Sequence, residues 1–519
     1  MPDTGSRPLC WPVTELLFDR AARFGDRLAV ATRDGGHRYD ALAAASASAA
    51  ARLLAVTGSA GDLGEARVGY LVEPGFDHVA VQWGIWRAGG LAVPICQSHP
   101  APEIEYLLDD ARPAILVATA GDLLERLRPL AAARGIPVLT TAETLAPAAP
   151  AALPTLGPER RALMVYTSGT TGRPKGVVTT HGNIRAAVAT LATAWAWRPD
   201  DRSLHVLPLH HIHGIINALS CALWSGAAVE FLHPFEADAA WERLASGEVT
   251  FFTAVPTVYA RLISAWEAAP AATQARWSAG ARRLRVMLSG SAALPVGTLA
   301  RWEELTGHRL LERYGMTEIG MAIANPLEGE RRAGTVGQPL PEVLIRLVDE
   351  RGAPVTPGTP GQIEVRGPQL FREYWGRPDE TARSFRDGWF MTGDVAALEN
   401  GYYRILGRQS VDIIKSAGYK ISALEIEETL REHPAVADCA VVGLPDPDLG
   451  ERIAAAVVAA DPAGVDPETI RAWLKERLAP YKVPRIICAV ADLPRNAMGK
   501  VTKTDVRTLI SSVPDASPR

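Results

Sequence analysis

One loop carries the clearest chemistry in the sequence. The strand-like run Leu163–Tyr166 leads into TSGTTGRPK, residues 167–175, which is rich in hydroxyl side chains and glycine and has a lysine at its end. Glycine lets backbone N–H groups approach an anion closely, hydroxyls add donors, and Lys175 adds a positive charge. The spacing differs from that of the G-x-x-x-x-G-K-S/T phosphate loop. The segment therefore predicts a phosphate-binding loop of another kind.

A second segment, ERYGMTE at 312–318, combines residue types suited to a nucleotide and its metal ion. Tyr314 offers an aromatic face for a purine, Thr317 offers a hydroxyl to a phosphate, and Glu318 could ligate Mg²⁺. The small-residue loop Ser289-Gly290-Ser291 follows an apolar strand-like run upstream. By itself such a loop is weak evidence for a binding pocket.

Two charged residues are harder to interpret from their type alone. Asp394 follows a glycine in MTGD, and Lys500 follows a glycine near the end of the sequence. An aspartate after glycine is most often a turn residue, and a lysine in a polar segment is most often solvated. Their significance depends on the surrounding pattern.

These residues need a scaffold that alternates strands with helices. The strand-like runs Val68–Glu73 and Leu91–Cys96 flank the helix-like segment Phe76–Arg87, which is typical of α/β architecture. Shorter β-like runs follow from about Gly337, and a compact strand–helix pattern begins after Arg408. We therefore predict an α/β fold with an N-terminal domain at 1–408 and a smaller α+β domain at 411–519.

Composition limits the classes of function. Lys and Arg number 54 against 58 Asp and Glu, and this near-balance argues against a broad nucleic-acid-binding face. The five dispersed cysteines fit neither a disulfide framework nor a zinc site. The Ala-rich stretch Ala41–Val56 predicts a packed helix capped by Asp40 rather than a membrane span, and residues 1–18 do not resemble a secretory signal. These observations predict a cytoplasmic protein with no membrane partner.

At the 166–176 run a family becomes visible. YTSGTTGRPKG resembles the signature of the adenylate-forming superfamily, which covers acyl-CoA synthetases, peptide-synthetase adenylation domains and luciferases. ERYGMTE resembles its YGxTE motif, MTGD with Gly407-Arg408 resembles its TGD…GR pattern, and Lys500 matches its last motif. The resemblance spans nearly the whole chain. It implies a large N-terminal region of two α/β subdomains plus a small β-barrel, followed by a small mobile α+β domain.

The resemblance also implies roles for individual residues and names ATP, Mg²⁺ and CoA as cofactors. By this match Lys500 reaches the acyl carboxylate and the α-phosphate, Glu318 binds the metal ion, and Gly418 lets the pantetheine arm approach. Catalytic roles fall on Lys175, Thr317, His211 and Lys500. The implied ATP contacts are Thr167, Ser168, Gly169, Thr170, Thr171, Gly172, Lys175, Ser289, Gly290, Ser291, Arg313, Tyr314, Gly315, Thr317, Asp394, Arg408 and Lys500.

Substrate choice rests on a narrower resemblance. VPTVYARL, SGSAALP and ERYGMTEIGMA are more similar to malonyl-CoA synthetases than to acyl-CoA synthetases in general. In those enzymes an arginine at the position of Arg261 holds a second carboxylate, for which a guanidinium is well shaped. Ser289 and Met316 are expected beside the acyl group, and His211 is expected as a gate between the acyl pocket and the thiol channel. The histidines near it could instead be packed or bind a metal ion.

Several alternatives remain open at this point. The acceptor could be a separate carrier protein, and the substrate could be an aryl, medium-chain or amino acid or an inorganic oxyacid. A family member without turnover would lose ATP contacts, whereas Lys175, Glu318, Asp394 and Lys500 are all present. The hinge residue is Gln409 or Ser410, and the protein is expected to be a monomer or homodimer.

Overall fold

A computed structural model describes residues 15–32, 35–167, 174–417, 419–461, 465–495 and 501–512. In these ranges the chain forms four β-sheets with helices packed on them. Three sheets lie within the first 408 residues, and the fourth belongs to the C-terminal part. The expected α/β fold with a C-terminal α+β unit is confirmed.

The largest sheet has nine strands and is mostly parallel. Its spatial order is Gln338–Pro339, Gly320–Ala324, Leu311–Met316, Val286–Ser289, Phe251–Ala254, Arg202–His205, Ala228–Phe231, Leu28–Thr32 and Gly35–Arg38. The strands from Leu311–Met316 to Leu28–Thr32 pair in parallel, and the outer ones are antiparallel. In such sheets ligands bind at the carboxyl ends of the strands, where the connecting loops meet.

The second large sheet has seven strands and carries the predicted phosphate loop. Its order is Glu373–Tyr374, Lys175–Thr180, Arg161–Thr167, Leu91–Pro94, Arg67–Leu71, Ile115–Ala118 and Val138–Thr140. The loop connects two antiparallel neighbours of this sheet, because Thr167 is paired with Lys175. The central strands carry almost only buried apolar side chains, as expected for a sheet covered on both faces.

Two smaller sheets follow in the chain. The third sheet has the order Leu344–Val348, Gly361–Arg366, Trp389–Glu399 and Phe385–Arg386, with Tyr402–Arg408 also paired to Trp389–Glu399. The C-terminal sheet has the order Tyr419–Ser422, Ile413–Ser416, Gly450–Ala459 and Val436–Asp446, with Ile486–Val490 also paired to Gly450–Ala459. The chain passes from the third sheet to the fourth between Arg408 and Ile413.

Helices connect the strands and pack against the sheets. Their bounds are Leu17–Ala21, Tyr39–Thr57, Phe76–Arg87, Ala101–Ala111, Asp122–Ala132, Thr141–Leu145, His181–Ala194, Cys221–Trp224, Ala237–Ala245, Pro256–Ala268, Ala271–Ala281, Val296–Thr306, Pro378–Arg383, Ala423–Arg431, Pro467–Lys475 and Lys503–Ser511. Short 3₁₀ turns occupy Ala22–Phe24 and Pro480–Lys482, and His213–Ser220 forms a π-helix. None of the helices in the described ranges combines the length and the apolar character that a bilayer crossing requires.

The Ala-rich helix begins two residues earlier and ends one residue later than the sequence predicted, and the predicted cap is wrong. It begins at Tyr39, so Asp40 lies inside the first turn and Arg38 occupies the N-cap position without a side-chain hydrogen bond. Tyr39 is fully buried, and its hydroxyl donates to the Ala227 carbonyl at 2.7 Å. Anchoring of this tyrosine in the core therefore fixes where the helix begins.

A block of stacked aromatic side chains forms the core beside the helix Pro256–Ala268. The rings of Trp241 and Trp277 are 5.5 Å apart and parallel within 3°, and Trp302 stacks on Trp241 at 5.3 Å. Tyr259 meets Trp302 edge to face at 4.9 Å. Such pairs are worth about 0.5–1.5 kcal/mol beyond their buried area. Through Tyr259 they join the helix that carries Arg261 to this aromatic block.

Candidate active site

Three loops predicted to be functional follow three neighbouring parallel strands. The small-residue loop follows Val286–Ser289, the helix bearing Arg261 follows Phe251–Ala254, and the histidine-rich segment follows Arg202–His205. Because carboxyl ends of adjacent parallel strands share one edge of a sheet, these segments lie together. The topology thus places the predicted acyl-binding segments at one edge of the nine-stranded sheet.

The phosphate loop is described only at its two ends. Thr167 and Lys175 are half-buried partners across the antiparallel ladder. Ser168, Gly169, Thr170, Thr171 and Gly172 lie outside the described residues, so their ATP contacts stay predictions. Lys175 donates a hydrogen bond to Glu380, and its ammonium lies 5.1 Å from the centre of the Tyr374 ring.

Asp394 connects the ERYGMTE segment with the Gly407-Arg408 pair, both of which the sequence assigned to nucleotide binding. The Tyr314 hydroxyl donates to Asp394 Oδ2 at 2.6 Å, and Arg408 Nε donates to Asp394 Oδ1 at 2.9 Å. Burial raises the pKa of Tyr314 well above its usual value, so the phenol stays a donor. Gly315 is required in the same strand, because a Cβ there would lie 2.1 Å from the Gly320 carbonyl oxygen.

Glu318 fits the binding of a divalent cation. Its carboxylate is 6% exposed and accepts a hydrogen bond from the Tyr374 hydroxyl at 3.0 Å, and burial raises its pKa. Across the described ranges no lysine or arginine nitrogen lies within ion-pair distance of it, although a buried carboxylate normally has such a partner. Thr317 begins the adjoining turn and is half-buried. A hard cation such as Mg²⁺ would supply the missing charge.

The small-residue loop is shaped around a buried arginine. A Cβ on Gly290 would lie 2.1 Å from Arg313 Nη1, which explains the glycine. Ser291 has a φ of 71°, and its hydroxyl is 3.0 Å from His213 Nδ1. The Ser289 hydroxyl is fully buried and has no hydrogen-bond partner among the described residues.

Arg313 is the most unusual charge in this region. It is 4% exposed, and in the described part of the chain no carboxylate forms an ion pair with it. Its Nη2 contacts His213 Nε2, which also lies 3.0 Å from the Thr253 hydroxyl, whereas its Nε has no hydrogen-bond partner there. Burial lowers the pKa of Arg313 to about 10, so the guanidinium is still charged at neutral pH. A buried cation without a counter-ion is suited to an anionic ligand.

The sequence did not predict the contact between Arg313 and His213. It assigned Arg313 only to the nucleotide set and treated His213 as one of several neighbouring histidines. The available signal was a pair of charged residues, Glu312 and Arg313, at buried positions of the strand Leu311–Met316, because a charged residue at such a position needs a partner. The partner, His213, is 100 residues away in the sequence, so spacing could not reveal it.

The histidine that the resemblance predicts as a gate, His211, lies against another histidine ring. His211 is half-buried, its ring lies 4.1 Å from that of His210, and the His210 ring lies 6.1 Å from that of His99. Burial, reinforced by His211, lowers the pKa of His210 to about 2, so this ring is neutral. Across the described ranges no group of three or more potential ligands is arranged to hold a metal ion.

Arg261 and Met316 occupy different environments. Arg261 is exposed, and its guanidinium stacks over the Phe235 ring at 4.7 Å. Met316 is half-buried at the end of its strand and packs against the main core. Contact of either residue with a substrate stays a prediction.

The C-terminal unit presents the segment that bears Lys500. Lys500 and Gly418 lie outside the described residues, but the flanks of Lys500 are paired by a bridge between Arg495 and Val501. The helix that follows is anchored through Lys503, whose ammonium donates to the Val441 carbonyl at 2.7 Å and lies 3.4 Å from Asp412.

Asp412 connects this unit with the N-terminal part of the chain. Its Oδ2 accepts a hydrogen bond from the Arg408 backbone N–H at 2.9 Å. Arg408 in turn holds Asp394 through its guanidinium. A continuous polar chain therefore runs from Asp394 across the predicted hinge to the helix after Lys500.

Comparison with known proteins agrees with this geometry. The family model described as "AMP-binding enzyme" matches residues 17–375, and "AMP-binding enzyme C-terminal domain" matches 425–500. A mitochondrial malonate–CoA ligase of Mus musculus is 44% identical over 94% of this chain and 90% of its own length. A malonate–CoA ligase of Arabidopsis thaliana is also 44% identical, over 86% of this chain and 78% of its own length.

A solved structure shows the same fold. ATP-bound MatB from Rhodopseudomonas palustris superposes with a TM-score of 0.86 at 34% identity, covering 96% of this chain and 99% of that one. The family match covers well over half of the sequence and includes the loop at 166–176, the ERYGMTE segment at 312–318 and the position of Lys500. The resemblance to adenylate-forming enzymes is therefore confirmed, and the chain belongs to the family of AMP-binding enzymes.

Proposed function

We propose that the protein is an ATP-dependent malonate–CoA ligase. It activates the acid as an acyl-AMP and then transfers the acyl group to CoA. The observation that carries the choice of a diacid is the buried guanidinium of Arg313, which has no carboxylate partner among the described residues. A second carboxylate on the substrate would satisfy this charge. Relatives named malonate–CoA ligases at 44% identity support the same acid.

The chain's own residues divide the work of the first half-reaction. Lys175 and the phosphate loop hold the β- and γ-phosphates, and Asp394 accepts hydrogen bonds from the ribose. Tyr314 covers the purine, and Lys500 meets both the attacking carboxylate and the α-phosphate. Two anions must approach each other in this step, so positive charge preorganised at the site lowers the barrier. Glu318 would hold Mg²⁺, which would supply positive charge to offset that of the phosphates.

The second half-reaction needs a path for the thiol. We assign the channel to the neighbourhood of His211 and Gly418, with the hinge at Gln409 or Ser410 between domains 1–408 and 411–519. A neutral His210 ring suits this place, because its pKa is far below 7 and it adds no charge beside the thioester. A separate carrier protein as acceptor, a monomeric or homodimeric state and a cytoplasmic location stay predictions.

The test is pyrophosphate release from ATP and Mg²⁺ with a panel of acids, with and without CoA. The panel contains malonate, methylmalonate, succinate, acetate, octanoate and benzoate. We expect malonate to give the highest kcat/KM, with sustained turnover only when CoA is present. Preference for a monoacid would refute the diacid assignment, and indifference to CoA would refute the acceptor.

Lys500→Ala separates the two half-reactions. Acyl-AMP formation should be abolished, because the cation that joins the two anionic reactants is lost. Thioester formation from supplied malonyl-AMP and CoA should be largely spared, since that step uses another orientation of the C-terminal domain. Equal loss in both assays would remove Lys500 from the adenylation step.

A further inference from the structure

A short segment next to the phosphate loop has contacts that the proposed function does not use. The segment comprises the strand Glu373–Tyr374 and the helix Pro378–Arg383, and we name residues 373–383 the loop clamp. Its strand pairs with Lys175–Thr180, the strand that leaves the phosphate loop. The Trp375 backbone N–H also donates to the Gly176 carbonyl at 2.8 Å. The clamp is therefore fixed to the loop's outgoing strand.

The clamp touches two side chains expected to act on the phosphates. Glu380 accepts a hydrogen bond from the Lys175 ammonium, and both side chains are about one-quarter to one-third exposed. Tyr374 donates to Glu318 and lies beneath the same ammonium. Fixing a lysine side chain in one rotamer costs about 2 kcal/mol of conformational entropy. Because Glu380 lies on a fixed helix and already orients Lys175, less of this cost remains when a phosphate binds to the lysine.

The clamp also ties the two flanks of the loop together. Arg377 donates to the Tyr106 hydroxyl at 3.0 Å and to Asp110 Oδ1 at 3.2 Å. The Tyr106 hydroxyl donates to the Pro174 carbonyl at 2.6 Å, just after the loop. The Tyr166 hydroxyl, just before the loop, donates to Asp110 Oδ2 at 2.7 Å. One network thus fixes both points from which the loop leaves the sheet.

We propose that Glu380 is a positioning residue for ATP binding, which holds the Lys175 ammonium in the orientation that meets the phosphates. This inference rests on the proposed function, because Lys175 has its role only where ATP is the substrate. Glu380 acts through Lys175 and does not itself touch the nucleotide. Its contribution should therefore vanish when Lys175 is absent.

The test is equilibrium binding of MgATP to the enzyme without acid or CoA, measured by titration calorimetry. Glu380→Gln should weaken binding about fivefold, the upper range for a partly exposed ion pair. Glu380→Asp, which keeps the charge, should restore at least part of the affinity. In steady state the KM for ATP should rise, while kcat and the KM for the acid stay unchanged.

A double-mutant cycle shows whether Glu380 acts through Lys175. In a Lys175→Met background, Glu380→Gln should have no further effect on MgATP binding. Glu373→Gln is the matched control, because Glu373 lies in the same clamp but pairs with Arg161 at 2.6 Å. It should bind MgATP like the unmodified enzyme.

The outcomes separate this inference from the proposed function. If the unmodified enzyme does not bind MgATP, the proposed function fails. If it binds MgATP and Glu380→Gln binds equally well or more tightly, the positioning role is refuted. Equal weakening in the Lys175→Met background, or by Glu373→Gln, would refute it as well.

Discussion

Two arginines near the predicted acyl site differ in almost every physical respect. Arg261 is exposed on a helix and rests on the Phe235 ring. Arg313 is buried in a strand against His213 and lacks a carboxylate partner among the described residues. The exposed guanidinium is already solvated, so pairing it with an anion gains little. The buried one has lost its water, so an anion gains much more there.

The largest expected effect is that of Arg313→Met. We expect kcat/KM for malonate to fall roughly 30- to 5000-fold, because loss of one partner of a buried charge pair costs about 2–5 kcal/mol. The unfolding midpoint should stay the same or rise, since the variant removes a buried charge that the free enzyme leaves unpaired. Acid-panel kinetics and thermal unfolding measure both results.

Arg331→Met is the matched control for this variant. Burial lowers the pKa of Arg331 as well, but its guanidinium donates to the carbonyls of Arg309 at 2.6 Å and Leu327 at 2.8 Å. Its loss should lower the unfolding midpoint and leave the acid preference unchanged. If Arg313→Met had a lower unfolding midpoint and normal malonate kinetics, Arg313 would be a structural residue like Arg331 and not a substrate-binding one.

Arg261→Ala should have a smaller effect. We expect at most about a fivefold loss in kcat/KM for malonate with little change for acetate, as for a solvated ion pair. Arg301→Ala is the control. Arg301 lies on a neighbouring helix, and its guanidinium also stacks over an aromatic ring, 5.5 Å from the centre of Trp266. A loss as large as that of Arg313→Met would show that the exposed arginine holds the second carboxylate.

The last effect is on stability rather than on kcat/KM, and it concerns Glu312, the neighbour of Arg313 in the same strand. Burial raises the pKa of Glu312 to about 8, against an ordinary value of 4.5. Between these values the folded protein holds a proton that the unfolded chain releases, so this group lowers the free energy of unfolding as pH rises. The unfolding midpoint of the Glu312→Gln variant should therefore rise relative to that of the unmodified protein as the pH increases from 5 to 8. If the unfolding midpoints of the two proteins changed with pH in parallel, the prediction that Glu312 is a buried, neutral carboxyl would be wrong.

The sequence predicted the elements better than the contacts between them. The helix Phe76–Arg87 has the predicted bounds, and the chain order of the motifs was sufficient to identify the family. These features depend on local periodicity and on short motifs. The π-helix His213–Ser220 was not predicted, because nothing in its composition distinguishes a wide helical turn from an ordinary one.

Long-range side-chain partners were beyond the reach of spacing arguments. Glu380 is 205 residues from Lys175, and Tyr374 is 56 residues from Glu318. Sequence reasoning identified Lys175 and Glu318 from their motifs, but it had no means to find the groups that orient them. Positioning residues are set by how sheets and helices pack, and this chain shows that a motif alone does not contain that information.

The stacked indoles of Trp241, Trp277 and Trp302 have a spectroscopic consequence. Rings 5.3 and 5.5 Å apart are close enough for their strong electronic transitions to couple, so we expect them to contribute a distinct tryptophan signal to the circular dichroism spectrum. Tyr259 links this block to the helix of Arg261. The chain therefore carries an intrinsic optical reporter of that helix, which shows without any label whether a variant has lost a substrate contact or the packing beneath it.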